Sequence, residues 1–262
     1  MIPRFLTLFF FLPLLAGASP EPTPLVVGME LNYPPFEMTD AAGKPCGLSV
    51  ELAEALSQSI HRPLRIENLA FDGLIPALLT KKIDLVISSL TITPERSKAI
   101  AFSRPYAHIG LALLTRKDPT IQNAKDLNKI DRTIITKRGT SGHVAAEKLF
   151  PKAKHLVVDQ DAAAYLEVSQ GKADAFLYDQ LSVARAQERY PQTTQALLTS
   201  LQEENWAFGL RQKDKELQVL TEAFLLAFQK KGGFQKLAAK YLFKEEGIFR
   251  KAGIPFIFSP IP

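Results

Sequence analysis

The chain has 262 residues, enough for one large domain or two small ones and for a sizeable core, and its 46% apolar and 23% charged residues argue against long disorder. Its 32 Lys and Arg against 27 Asp and Glu give a net charge of +5, but the longest basic runs are Lys81-Lys82 and Lys230-Lys231, too short for a nucleic-acid footprint. One cysteine leaves no intrachain disulfide or CxxC pair, and four histidines at no HxH or HExxH spacing argue against a transition-metal site.

The chain opens with a targeting pattern. Residues 1–4 are short and weakly basic, 5–15 are almost wholly apolar, and Ala16-Gly17-Ala18 offers small residues where a signal peptidase reads. An apolar run this short falls well below the roughly twenty residues that span a bilayer. The expectation is a secretory signal peptide over 1–18, cleaved after Ala18, and a periplasmic mature chain. No cysteine lies near the cut, so lipid attachment there is excluded. Cys46 receives no role. Residues 19–24 (SPEPTP) read as an extended leader.

A strand over 25–28 follows. Leu52, Leu56 and Ile60, spaced by four, predict a helix over 49–60 with Ser49 as its N-cap. A strand is expected over 64–69, a helix capped by Asp72 running to Leu79, and a buried strand over 83–87. Thr93-Pro94-Glu95-Arg96 reads as a helix start, with Thr at the cap and Pro at the first position. This alternation of strand and helix predicts a parallel α/β sheet. A second set repeats the rhythm, with strands over 110–115, 133–136, 156–158, 173–178 and 206–210. Its helices are expected over 143–150, 162–170 and 181–189, followed by 217–231 and 234–243. Two sets imply two lobes.

In such folds ligands bind beyond the carboxyl ends of the strands. The residues there are Glu30 to Phe36, Ser88 to Arg96, Gly139-Thr140-Ser141, and Asp179. They offer hydroxyls and free backbone N–H groups at two helix starts, an arginine, carboxylates and aromatics. Helix starts with an arginine suit a carboxylate, and an opposed carboxylate suits an ammonium. Together they describe a site for a zwitterion, an amino acid. Without further context Thr93 and Asp179 are helix caps, and Phe36, Phe102 and Tyr106 are core.

The segments NYPPFE, FDGLIPALL, KKIDLVISSLTITPERSKAIAFSRPY and RGTSG, with Asp179, resemble the polar amino-acid-binding periplasmic proteins of ABC importers, solute-binding protein family 3. The resemblance runs in order over 25–243 and is closest to arginine-binding members. It implies a two-lobed α/β Venus-flytrap fold in which two crossover strands join the lobes. Lobe 1 would comprise 25–109 and 208–243, and lobe 2 would comprise 110–207. It also implies a monomer that binds without catalysis or cofactor and delivers its ligand to a membrane permease.

Carried over residue by residue, the resemblance gives Arg96 the α-carboxylate, with Ser89 and Thr91 from the first lobe and Thr140 and Ser141 from the second. Asp179 takes the α-ammonium, Tyr33 and Phe71 wall the side chain, and Glu30 faces its distal end. Arginine is then expected to bind first, lysine or ornithine more weakly, glutamine much more weakly, and glutamate not at all. The apolar extension over 244–262 departs from the family. It either packs along the first lobe or forms a partner surface. An enzyme on the same fold is the alternative: cyclohexadienyl dehydratases resemble this family and need a general acid in the cleft. Glu30 is the one spare carboxylate this reading finds for that role.

Overall fold

The computed structural model describes residues 22–259; the proposed signal peptide lies outside them. No described helix is long and apolar enough to cross a membrane.

The chain begins with β1 (Leu25–Met29), whose LVVGM sequence is buried nearly throughout. A small antiparallel sheet follows, made of β2 (Asn32–Tyr33), β3 (Glu37–Thr39) and β4 (Pro45–Cys46). Helix α1 (Leu48–Ser59) buries Leu52 and Leu56 on one face. Gly47, not Ser49, is its N-cap; Ser49 lies inside the first turn, fully buried. Next come β5 (Leu64–Asn68), a 3-10 turn at Phe71–Gly73, α2 (Leu74–Leu79) and β6 (Leu85–Val86). Asp72 falls in the 3-10 turn, so it does not cap α2. Thr93 does cap α3 (Pro94–Ala99), accepting from the Arg96 N–H at 3.2 Å. Strand β7 (Ala101–Phe102) completes this run.

The long β8 (Ala107–Arg116) leads into the second set. There β9 (Thr133–Lys137), α4 (Ser141–Leu149), β10 (Lys154–Val158), α5 (Asp161–Ser169), β11 (Ala175–Asp179) and α6 (Gln180–Arg189) alternate. Strand β12 (Thr194–Trp206) returns, and β13 (Gly209–Leu210) re-enters the first sheet. Helices α7 (Lys215–Lys230), α8 (Gly233–Tyr241) and α9 (Phe243–Ala252) finish the chain.

The sheets have strand orders β5-β1-β6-β13-β7 and β10-β9-β11-β8-β12. They are parallel only in part. Strands β5 and β6 run parallel to β1, and β10 and β11 to β9, whereas β13, β8 and β12 pair antiparallel. The antiparallel strands are those that carry the chain between the sheets. Ala107 of β8 pairs with Trp206 of β12, and Thr91 bridges to Trp206 as well.

Beyond α8 the chain does not dangle. Arg185 of α6 pairs with Glu245 of α9 at 3.0 Å. Past α9, Ile257 is buried and its carbonyl accepts from the His108 N–H of β8 at 2.8 Å. Phe258 lies 5.2 Å from the Phe234 ring of α8. The tail therefore touches a helix of each α/β set and the strand that joins them.

Candidate functional site

Eight of the nine residues assigned from the resemblance line one cleft between the sheets: Glu30, Tyr33, Phe71, Ser89, Thr91, Thr140, Ser141 and Asp179. Arg96 lines the adjoining pocket, which it shares with Thr91, Thr140 and Ser141. The reason is topological. Glu30 follows β1, Ser89 and Thr91 follow β6, Thr140 follows β9, and Asp179 ends β11, so strand ends from both sheets meet.

The two halves touch directly. The Tyr33 hydroxyl donates to Asp179 Oδ2 at 2.6 Å and accepts from the Ser182 hydroxyl at 3.2 Å. Asp179 Oδ1 also caps α6, accepting from the Ser182 N–H at 2.9 Å. Its capping and cleft positions thus coexist. The Arg96 guanidinium spans the cleft, donating to the Thr91 carbonyl at 2.7 Å and to the Gly139 carbonyl at 2.9 Å. It lies 5.5 Å from the Phe71 ring centre. Gly139 has φ +74°, and a β-carbon there would lie 2.8 Å from the Asp72 side chain, so the approach of the two sets at this point requires glycine.

Thr140 caps α4, accepting from the His143 N–H at 3.2 Å, and its hydroxyl donates to the Lys137 carbonyl at 2.7 Å. Ser89 sits at φ +49° with a buried hydroxyl that has no partner. Such a group, lining a cleft, is available to a ligand.

Glu30 differs from expectation. Its carboxylate does not face an open distal subsite. Lys137, the last residue of β9, reaches across and places Nζ 2.5 Å from Glu30 Oε2. Both side chains are buried, at 1% exposure for Lys137 and 7% for Glu30. The same ammonium lies 5.9 Å from the Phe71 ring centre. A lysine of the protein thus holds the seat that the resemblance gives to a basic ligand's distal cation.

The sequence reading also missed two cleft acids. Glu37 lines the cleft with Oε1 accepting from the Ser88 hydroxyl at 2.9 Å and Oε2 unpartnered. Ser88 also accepts from the Glu30 N–H at 3.0 Å. Glu204 of β12 accepts from the Thr91 hydroxyl at 2.8 Å and the Ser141 hydroxyl at 2.9 Å. Glu30 is therefore not the one spare acid. Glu204 becomes legible only once β12 is known to reach back past Trp206: it then shares a strand face with Trp206, two residues on, which also lines the cleft.

Burial dominates the electrostatics. It pushes the Glu37 carboxyl up to about 8 and raises Asp179 and Glu204 above the ordinary carboxyl range. Glu30 is raised too, because burial outweighs the attraction of Lys137. Burial lowers Arg96 to about 10. Each acid but one has compensation nearby. Glu30 has Lys137, Glu204 feels Arg96, and Glu37 is held neutral. Asp179 has the Tyr33 hydroxyl, Ser182 and the further acid Asp161 near it, and it forms no ion pair among the described residues.

Two α/β lobes meeting at their strand ends around a polar cleft have the architecture of a solute receptor. Residues 25–245 match the bacterial extracellular solute-binding proteins, family 3, and the chain belongs to that family. Membership makes it a solute-binding protein rather than an enzyme. The ABC transporter arginine-binding protein 1 of Escherichia coli (strain K12) is 29% identical over 218 residues, covering 82% of this chain and 88% of that protein. The L-cystine-binding protein TcyJ of the same organism is 28% identical over 219 residues, covering 83% of this chain and 82% of that protein. Among solved structures, the ancestral amino acid-binding protein AncCDT-1, a precursor of cyclohexadienyl dehydratase, superposes with a TM-score of 0.76. It is 35% identical, with 83% of this chain and 94% of that chain covered.

Proposed function

We propose that the protein captures a basic amino acid between its lobes in the periplasm and delivers it to the permease of an ABC transporter. Closure brings Tyr33, Thr91 and Arg96 onto Ser141 and Asp179, so a ligand touching both halves favours the closed state by its differential contacts. The observation that carries the reading is the buried, cation-free Asp179 carboxylate in a cleft with a surplus of acids. A ligand ammonium supplies the missing charge. A guanidinium reaches Glu30 by displacing the Lys137 ammonium and takes over its place near Phe71. The arginine-binding relative supports the same ligand class, and the cystine-binding one marks how far ligand choice varies within the family.

A thermal-shift screen of the twenty amino acids with ornithine and citrulline tests this. Arginine is expected to give the largest shift, then lysine or ornithine; a ligand at a hundred times its Kd adds about 2.7 kcal/mol. No shift with any basic amino acid defeats the proposal. Arg96→Ala is expected to weaken the best ligand by about 2 kcal/mol, roughly 30-fold, because Arg96 binds the Thr91 and Gly139 carbonyls across the cleft as well as facing the ligand. Calorimetry with parent-like affinity for the variant would remove Arg96 from the site.

A further inference from the structure

Glu204 occupies ground that the resemblance gives to the ligand. It is 4% exposed and lies in β12 two residues before Trp206. Its Oε2 accepts from the Thr91 and Ser141 hydroxyls at 2.8 and 2.9 Å, and its Oε1 accepts from the Gln202 side-chain amide at 2.9 Å. Arg96 is the cation whose field acts on it. Thr91, Ser141 and Arg96 are the groups assigned to a ligand's α-carboxylate. In this structure a carboxylate of the protein already engages the two hydroxyls.

The charges of the cleft agree. Lys137 forms an ion pair with Glu30, whereas Arg96 donates to the Thr91 and Gly139 carbonyls and acts on Glu204 only through its field. Among the described residues Asp179 pairs with no cation, and the second oxygen of Glu37 is buried without a partner at the cleft wall. One ammonium placed at Asp179 closes the balance. A zwitterion brings the same ammonium together with a carboxylate whose hydroxyl partners Glu204 already holds, and that carboxylate must turn Glu204 away from Thr91 and Ser141. A like charge brought into a desolvated site costs affinity. An amine without a carboxylate leaves Glu204 where it is.

We propose that the cleft takes primary amines that carry no carboxylate at least as tightly as the corresponding amino acids, with Glu204 standing in for the missing carboxylate. The inference rests on the reading of the cleft as an ammonium site and extends its ligand class. Glu204 becomes the residue that decides between amine and amino acid, and the aliphatic part of either ligand lies among Tyr33, Phe71 and Trp206.

Calorimetry on the full mature chain with three matched pairs tests it: lysine and cadaverine, arginine and agmatine, norleucine and pentylamine. Each amine is expected to match or exceed its amino acid. Glu204→Gln keeps an oxygen for the Thr91 and Ser141 hydroxyls but removes the charge. It is expected to shift the preference at least tenfold toward the amino acid in each pair. Amino acids binding more tightly than their amines in all three pairs, or a preference that Glu204→Gln leaves unmoved, overturns the proposal while the amino-acid reading stands. Failure of both members of every pair to bind a protein that circular dichroism shows folded overturns both readings.

Discussion

Lys137→Ala is expected to destabilise the protein by roughly 3 to 5 kcal/mol. The change removes the cation from a Glu30 carboxylate that burial already disfavours, and both partners are nearly inaccessible to water. The pair also links the two lobes, so its loss strands a charge at their junction. Replacing both partners together, as Glu30→Leu with Lys137→Met, removes the charge and its counter-charge at once. It is expected to recover most of the loss, since apolar groups of similar size often substitute for a buried ion pair without penalty. Urea unfolding of the parent, the single and the double variant reads this directly. A single variant as stable as the parent would show that the pair contributes nothing. In the single variant Glu30 is also freed for an incoming guanidinium, so saturating arginine should restore more stability there than in the parent.

The second large effect concerns Glu37. Folded, this carboxyl keeps its proton up to about pH 8 because it is buried; its ordinary value is 4.5. Between those values the folded chain holds a proton that the unfolded chain has released. Stability is therefore highest at the acid end, falls as pH rises through this window, and levels off above it. Glu30, Asp179 and Glu204 are raised by burial as well and act in the same direction. Glu37→Gln keeps a neutral group of the same shape against Ser88. The variant should gain on the parent as pH rises, on the order of 4 kcal/mol by pH 9, and differ little at pH 5. Melting temperatures across pH 5 to 9 check it; parallel curves for parent and variant would mean that Glu37 titrates in its ordinary range.

The alternation of strands and helices was legible because each element carries its own periodicity, and the cleft followed from looking just past each strand. Glu30, Thr91, Thr140 and Asp179 were found that way. The same rule should have exposed Lys137, which ends β9 immediately before Arg138-Gly139. A lysine beside an arginine reads as a solvated pair, and only the tertiary approach of Glu30 makes it a buried ion. Strand β12 was hidden for a related reason. Its TQALLTSLQEENW sequence is half-exposed and ends in a polar run, and the run of Gln202, Glu203 and Glu204 looks like a loop. It is a strand because β8 lies alongside and takes its hydrogen bonds, with a register shift between Leu197 and Gln202. Local sequence carries no trace of that partner. The parallel sheet was over-read likewise: the returning strands pair antiparallel because the chain must pass between the lobes more than once.

The tail bears on how the cleft opens. Two flexible strands joining two bodies form a soft bearing with a wide swing. Here a third segment lies against that bearing, hydrogen-bonded to β8 through Ile257, packed on α8 through Phe258 and tethered to α6 through Glu245. Any wide swing has to slide or release it. The free protein is then expected to sample a narrower arc, to spend less configurational entropy when a ligand arrives, and to hold its recognition groups near their working positions beforehand. Ligands that enter this pre-set cleft are then expected to differ mainly in the rate at which they leave.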